Sequence, residues 1–190
     1  MGRWEPDAAG RLREAAMALY AERGFDGTTV ADIADRAGVT ARTFFRHFTD
    51  KREVLFAGSE LLEQSMVKAL ADAPADAGPM EAVAAAVLAS AEFFDDIPRD
   101  YSRRRQDLIN ATPELREREL IKMAALTSAL TDGLLERGVA VDVAPLAAET
   151  GVAVFRVSFE RWISAPDGEP IADVIRSTLK TLKTLYGLTV

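Results

Sequence analysis

The run GFDGTTVADIADRAGVTARTFFRHFTDKREVLF, residues 24–56, decides how this chain is read. Val30, Ile33, Ala34 and Ala37 recur at i, i+3, i+4 and i+7, the apolar stripe of an amphipathic helix. Asp26-Gly27 is a turn signal before it, and Thr28 and Thr29 are candidate N-caps. Gly38 stops this helix after two turns, Val39 is apolar, and Thr40 can cap a third helix. Upstream, Leu12, Ala15, Ala16, Leu19 and Tyr20 make the same stripe, ended by Gly24, with Phe25 placed to fold back on it. Helix, short Gly-containing turn, helix is the helix-turn-helix unit.

The third helix has two faces. Phe44 and Phe48 lie four apart and predict a core side together with Val39. Arg42, Phe45 and Arg46 lie opposite. A packed core has no use for two arginines there, whereas a major groove does: Arg bonds guanine O6/N7 or grips phosphates. Phe45 fits either a contact with sugar or thymine methyl, or simple packing. Lys51 and Arg52 are read as opening the next helix, where N-terminal amides favour a phosphate, and Thr29 sits at a comparable place. His47 reads equally as a surface or partly packed histidine.

Charge supports a local rather than a general nucleic-acid contact. The 190 residues are 48% apolar and 28% charged, with a net charge of −7. Residues 1–55 hold nine Lys/Arg against nine Asp/Glu, so residues 56–190 carry all of the −7. Within 36–52, five basic residues face Asp50 alone, a local net of +4. That is a small basic face on an acidic protein. From charge alone it is also an ordinary solvated surface.

Other classes lose ground. Zero cysteine excludes disulfides and thiolate chemistry, and a single histidine excludes triads or metal clusters built on several imidazoles. No phosphate loop, GxSxG elbow or GxGxxG motif occurs. No catalytic residue, metal or cofactor is therefore expected. The longest uncharged stretch, Ala82 to Ala91, is about half of a membrane span. The first ten residues lack an apolar secretion signal, so a cytoplasmic protein with no membrane partner is expected.

Taken together, the segment from Leu12 through Phe56 resembles the N-terminal domain of TetR/AcrR-family transcriptional regulators. The shared features are an apolar helix, Gly-Phe, Thr-Thr, IA, AGV, a short aromatic recognition helix and a following Lys. The resemblance implies an all-α fold: a three-helix helix-turn-helix DNA-binding domain, residues 1–55, then a helical ligand-binding and dimerisation domain, residues 56–190. It implies a homodimeric repressor on double-stranded operator DNA, released by a small-molecule inducer. By the same resemblance, Thr29 touches phosphate, Thr40, Arg42 and Thr43 begin the base-reading helix, and His47 and Lys51 meet phosphates. Phe45 and Arg46 complete the expected DNA set. Two positions depart from the family pattern: Phe45 stands where Tyr is frequent, and Arg42 where a small residue is common.

The remainder reads as helical, for about nine helices in all. One amphipathic stretch runs from Lys51 to Ala71, and Asp72–Pro79 is a loop. Later helices are read from Met80 to Phe94, Tyr101 to Ala111, Pro113 to Arg137, Leu146 to Ile163 and Ile171 to Tyr186. The last two carry apolar stripes, and Val152, Phe159, Trp162, Ile175 and Leu182 are candidate dimer contacts, or else core of one subunit. Phe93, Phe94, Ile97, Leu108, Met123 and Phe155 are candidate pocket residues, or ordinary core. Arg103 and Arg104, in the run Arg103 to Arg105, either meet an anionic ligand or pair with Asp95, Asp96, Asp100 or Asp107. The resemblance suggests an apolar or acyl-type inducer. The competing functions are a helical binding or interaction module without DNA binding, and a carboxylate-dependent hydrolase.

Overall fold

A computed structural model describes residues 8–165, 168–185 and 187 of the chain. Nine α-helices and one 3₁₀ turn form among these residues, with no strand. The helices are α1 (Ala8–Arg23), α2 (Val30–Arg36), α3 (Ala41–His47), α4 (Ser59–Ala71), α5 (Pro79–Asp95), α6 (Arg99–Ala111), α7 (Pro113–Glu136), α8 (Ala144–Ser164) and α9 (Ile171–Leu185). They divide into two compact units. One comprises the described residues up to Gly58 together with Arg104–Glu119; the other comprises Ser59–Arg103 and the described residues from Leu120 onward. The segment Arg104–Glu119 lies in what the sequence reading treats as the C-terminal domain.

In the first unit, the apolar stripe of α1 is buried as its spacing predicts, with Met17 added. Ile33 and Ala34 of α2 and Phe44 of α3 meet it inside, and Phe48 follows. Gly38 closes α2 with φ +68, its amide bonding Asp35 O while that of Val39 bonds Ala34 O. This double bond satisfies carbonyls the helix leaves orphaned. The expected helix from Lys51 to Ala71 is corrected. Asp50 Oδ1 accepts from the amides of Arg52 and Glu53, a 3₁₀ turn covers Glu53–Phe56, and α4 starts only at Ser59. Gly58, at φ +89, makes the break in a region closed to most side chains.

Lys51 ties this unit together. Its ammonium donates to Phe25 O at 2.8 Å and Thr28 O at 2.9 Å, and lies 4.2 Å from the Phe25 ring centroid. The Tyr20 hydroxyl donates to Lys51 O at 2.6 Å. Burial, then the nearby Asp50 charge, pushes the Tyr20 pKa upward, so the phenol stays a donor. From the distant segment, Arg105 Nε donates to Leu55 O at 2.6 Å, its guanidinium lies 5.1 Å from the Phe56 ring, and Arg118 pairs with Glu53.

The second unit is a helical core built on α4, α5, α8 and α9 with most of α7. Small residues let α5 and α8 approach: an added Cβ on Gly151 would sit 2.4 Å from Val83 Cγ1. Arginines cap helix ends. Arg137 donates to the carbonyls of Leu70, Ala71, Ala73 and Pro74, closing α4. Arg99 donates to Ala165 O and Arg103 to Ile163 O, at the end of α8.

Three of the candidate dimer contacts are corrected here. Val152 is 4% exposed, Trp162 5% and Ile175 fully buried, so their area is already removed from water within one chain. Phe159 and Leu182 are half-buried against the same core. The large apolar side chains left exposed on α8 and α9 are Leu146, Val157 and Leu185. Tyr186, read as the end of the last helix, lies outside the described residues.

Gly151 and Gly133 should respond differently to alanine. Gly151→Ala overpacks a stiff valine, costing about 1–3 kcal/mol, against a gain of about 0.5–1 kcal/mol from replacing a mid-helix glycine. Gly133→Ala meets only Leu70 Cδ2, the end of a longer side chain, at 3.0 Å. Denaturant melts should find the first variant destabilised and the second unchanged or stabilised; the reverse order would contradict the α5–α8 contact. Lys51→Met leaves two carbonyls without their charged donor and should cost about 1–3 kcal/mol, read as a lowered thermal midpoint.

Candidate nucleic-acid interface

The outer face of α3 carries the residues singled out from the sequence. Thr40 caps the helix, its Oγ1 accepting from the Thr43 amide at 3.2 Å and lying 3.1 Å from Thr43 Oγ1. Capped here, the seven-residue helix places Arg42 in its first turn and Arg46 in its last, one turn apart on one side. Both are exposed. Phe45, between them, is 58% exposed, an uncommon state for a large apolar ring. Its position is fixed from below, where fully buried Phe44 meets it edge-on at 5.4 Å and 81°. His47 is exposed beside Phe48, with ring centroids 6.3 Å apart.

The basic patch resolves into unequal members. Arg36 pairs with Glu22 at 2.6 Å, and this bond lowers the Glu22 pKa and raises that of Arg36. Arg52 pairs with Asp50 at 2.7 Å and likewise holds its carboxyl below the usual range. Lys51 is turned inward on two carbonyls. Among the described residues, Arg42 and Arg46 are left with no ion-pair or hydrogen-bond partner.

Two of the residues expected to meet phosphate, Lys51 and Thr29, are engaged within the chain. Lys51 is spent on the turn between α1 and α2 and does not point outward. Thr29 is engaged at both its hydroxyl and its amide by Asp32 Oδ2, at 2.6 and 2.9 Å, while Oγ1 accepts from the Asp32 amide at 3.1 Å. This capping box, chiefly through the Thr29 hydroxyl, depresses the Asp32 pKa and fixes a negative charge at the start of α2. Tyr20, Arg105 and Arg118, which brace the unit from sequence-distant places, were missed. No local pattern marks them, because their partners lie 31 to 65 residues away.

The candidate pocket residues divide between the two units. Phe93, Phe94, Ile97, Met123, Phe155 and Arg103 belong to the second, Arg104 and Leu108 to the first. Phe94 is the hub of an aromatic cluster, its ring 5.2 Å from Phe93, 6.3 Å from Phe155, 5.4 Å from Phe159 and 5.7 Å from Trp162. Ile97 and Met123 pack partly buried against this core. Arg103 pairs with Asp100 at 2.7 Å, one of the carboxylates weighed from sequence, and Arg104 is exposed. Among the described residues no cluster of His, Cys, Asp or Glu is arranged to hold a metal, and no helix is long and apolar enough to cross a membrane.

Known proteins align with both parts of the chain. The HTH-type transcriptional regulator TcmR of Streptomyces glaucescens is 37% identical over 75 residues, 40% of this chain but only about a third of its own length (33%). MftR of Mycobacterium tuberculosis is 26% identical over 166 residues, 86% of this chain and 83% of that protein. The fold is that of the transcriptional regulator FadR from Bacillus subtilis, solved in complex with stearoyl-CoA, at a TM-score of 0.57 and 19% identity, covering 91% of this chain and 96% of that one. A family model of bacterial regulatory proteins, tetR family, matches residues 12–57, and one of the MftR C-terminal domain matches residues 77–187. The chain belongs to the TetR family of bacterial regulatory proteins, with a C-terminal region of the MftR type.

Proposed function

We propose that this chain is a homodimeric, DNA-binding transcriptional repressor of the cytoplasm, released from a double-stranded operator by a small-molecule inducer. The observation that carries the reading is the outer face of α3, where two unpartnered guanidiniums flank an exposed phenylalanine. Two cations free to meet anions, with an apolar ring between them, match a groove edged by phosphates and bases. Thr40 and Thr43 set the helix register, and His47, exposed at the trailing end of α3, is free to meet a flanking phosphate.

The second copy associates through α8 and α9. There Val157 and Leu185 are exposed and Phe159 and Leu182 only half-covered, so a two-fold pairing buries what one chain leaves out. The inducer is an apolar or acyl-type molecule. The aromatic cluster around Phe94 suits such a ligand, and the FadR fold relative was solved with stearoyl-CoA. Inducer binding shifts α4 and with it the spacing of the two α3 helices. This requires that inducer bind the released state more tightly than the operator-bound one.

The test is fluorescence anisotropy of the purified chain on a selected operator. Affinity should fall steeply as salt rises from about 50 to 200 mM. Arg46→Ala should weaken binding to all duplexes and flatten the log–log salt slope by about 1 for each phosphate no longer neutralised, or about 2 for the dimer. A parent chain whose binding ignores salt, or sedimentation as a monomer at micromolar concentration, would overturn the proposal.

A further inference from the structure

The operator reading leaves open which α3 side chains read sequence and which only hold the backbone. Resting on that reading, we infer that Arg42 recognises a guanine in the major groove of each half-site, while Phe45 packs on the C5-methyl of a neighbouring thymine and Arg46 holds phosphate.

The charges around α3 are the first ground. Of the five cations between residues 36 and 52, Arg36 and Arg52 are neutralised by Glu22 and Asp50, and Lys51 faces inward. Asp32 is occupied by Thr29 and lies 3.6 Å from Arg23, and among the described residues no carboxylate is paired with Arg42. Arg42 therefore keeps its whole donor fork, the group that bonds guanine O6 and N7 together.

Register is the second. Side chains lean toward the N-terminus of their helix, so Arg42, in the first turn, reaches past the leading end of α3. The leading residues of a recognition helix meet base edges. Arg46 stands one turn later, at the trailing end of a seven-residue helix. Contact with backbone phosphates there positions the protein but carries no sequence information.

The chemistry of Phe45 is the third. With no hydroxyl it cannot bond a phosphate oxygen, and Phe44 holds it edge-on with most of its ring outside. Among groove features, the thymine methyl is the one that rewards apolar contact.

The experiment uses the full-length chain and a random duplex library. The parent should select a two-fold symmetric site with a fixed guanine in each half. Arg42→Ala should lose that guanine and keep the other positions. Arg42→Lys, which retains charge but not the fork, should lose it too. Placing 7-deazaguanine at that position removes N7; it should weaken the parent by about tenfold or more and leave Arg42→Ala unaffected. Replacing the adjacent thymine by deoxyuridine should weaken the parent several-fold and leave Phe45→Ala unaffected. All three side chains, at 42, 45 and 46, are exposed, and thermal melts of the variants should match the parent. If Arg42→Ala lowers affinity for every duplex by one factor with an unchanged selected site, Arg42 grips a phosphate and the inference falls while the regulator stands. If the parent enriches no sequence and shows no salt-dependent binding, the regulator reading itself falls.

Discussion

The Lys51 ammonium makes the contact on which the geometry of the reading head depends. A half-buried cation needs acceptors, and Lys51 finds two carbonyls from the turn between α1 and α2, with the Phe25 ring beneath. Its own carbonyl is held by the Tyr20 hydroxyl. Residues 20, 25, 28 and 51 thus meet at one point, and the chain that leaves α3 is pinned to the end of α1. Helix α3 has seven residues and little intrinsic stability. Its direction is set by what lies on either side: the buried Phe44 and Phe48 beneath it, and the anchored Lys51 after it.

Anchoring by Lys51 changes what the basic patch can do. A local charge of +4 suggests a broad electrostatic grip, but the pairs Arg36–Glu22 and Arg52–Asp50 and the inward Lys51 leave two cations aimed outward. The described residues of the unit containing α3 hold twelve Lys/Arg and eleven Asp/Glu, while those of the other hold ten and sixteen. Such a protein gains little from random contact with DNA. Its binding energy is available only when α3 is seated, which favours discrimination over raw affinity.

Much of this was legible in sequence because the signals are local. The stripes of α1 and α2, the caps at Thr29 and Thr40 and the two faces of α3 all lie within a few residues of the side chains they organise. What was not legible involves distance or ambiguity. Lys51 reads as opening a helix because the residues after it are amphipathic; its side chain instead turns to partners 23 and 26 residues back, and a 3₁₀ turn follows it. Gly58 breaks that helix where periodicity runs on. Val152, Trp162 and Ile175 show why an apolar stripe does not identify an interface. Burial in one chain and burial against a second copy demand the same residues, and only packing tells them apart. For Arg103 the sequence left an anionic ligand and an aspartate partner both open; it pairs with Asp100 and also donates to a main-chain carbonyl at the end of α8, a distant acceptor that no local pattern marks.

The brevity of α3 then bears on the proposed dimer. Seven residues at about 1.5 Å each give a helix of about 10 Å, which lies over roughly three base pairs at ~3.4 Å per step. Three base pairs recur about once in every 64 positions, far too often against the roughly 10⁶ or more competing sites in a genome. Among the described residues, the exposed arginines of α3 end at Arg46 and the flanking Arg36 and Arg52 are paired within the chain. A two-fold copy doubles the sites read and squares the discrimination with no new chemistry. The same arithmetic makes the separation of the two reading heads decisive. Each half alone holds too weakly to matter, so a small change in spacing that prevents both from seating removes nearly all of the specific binding.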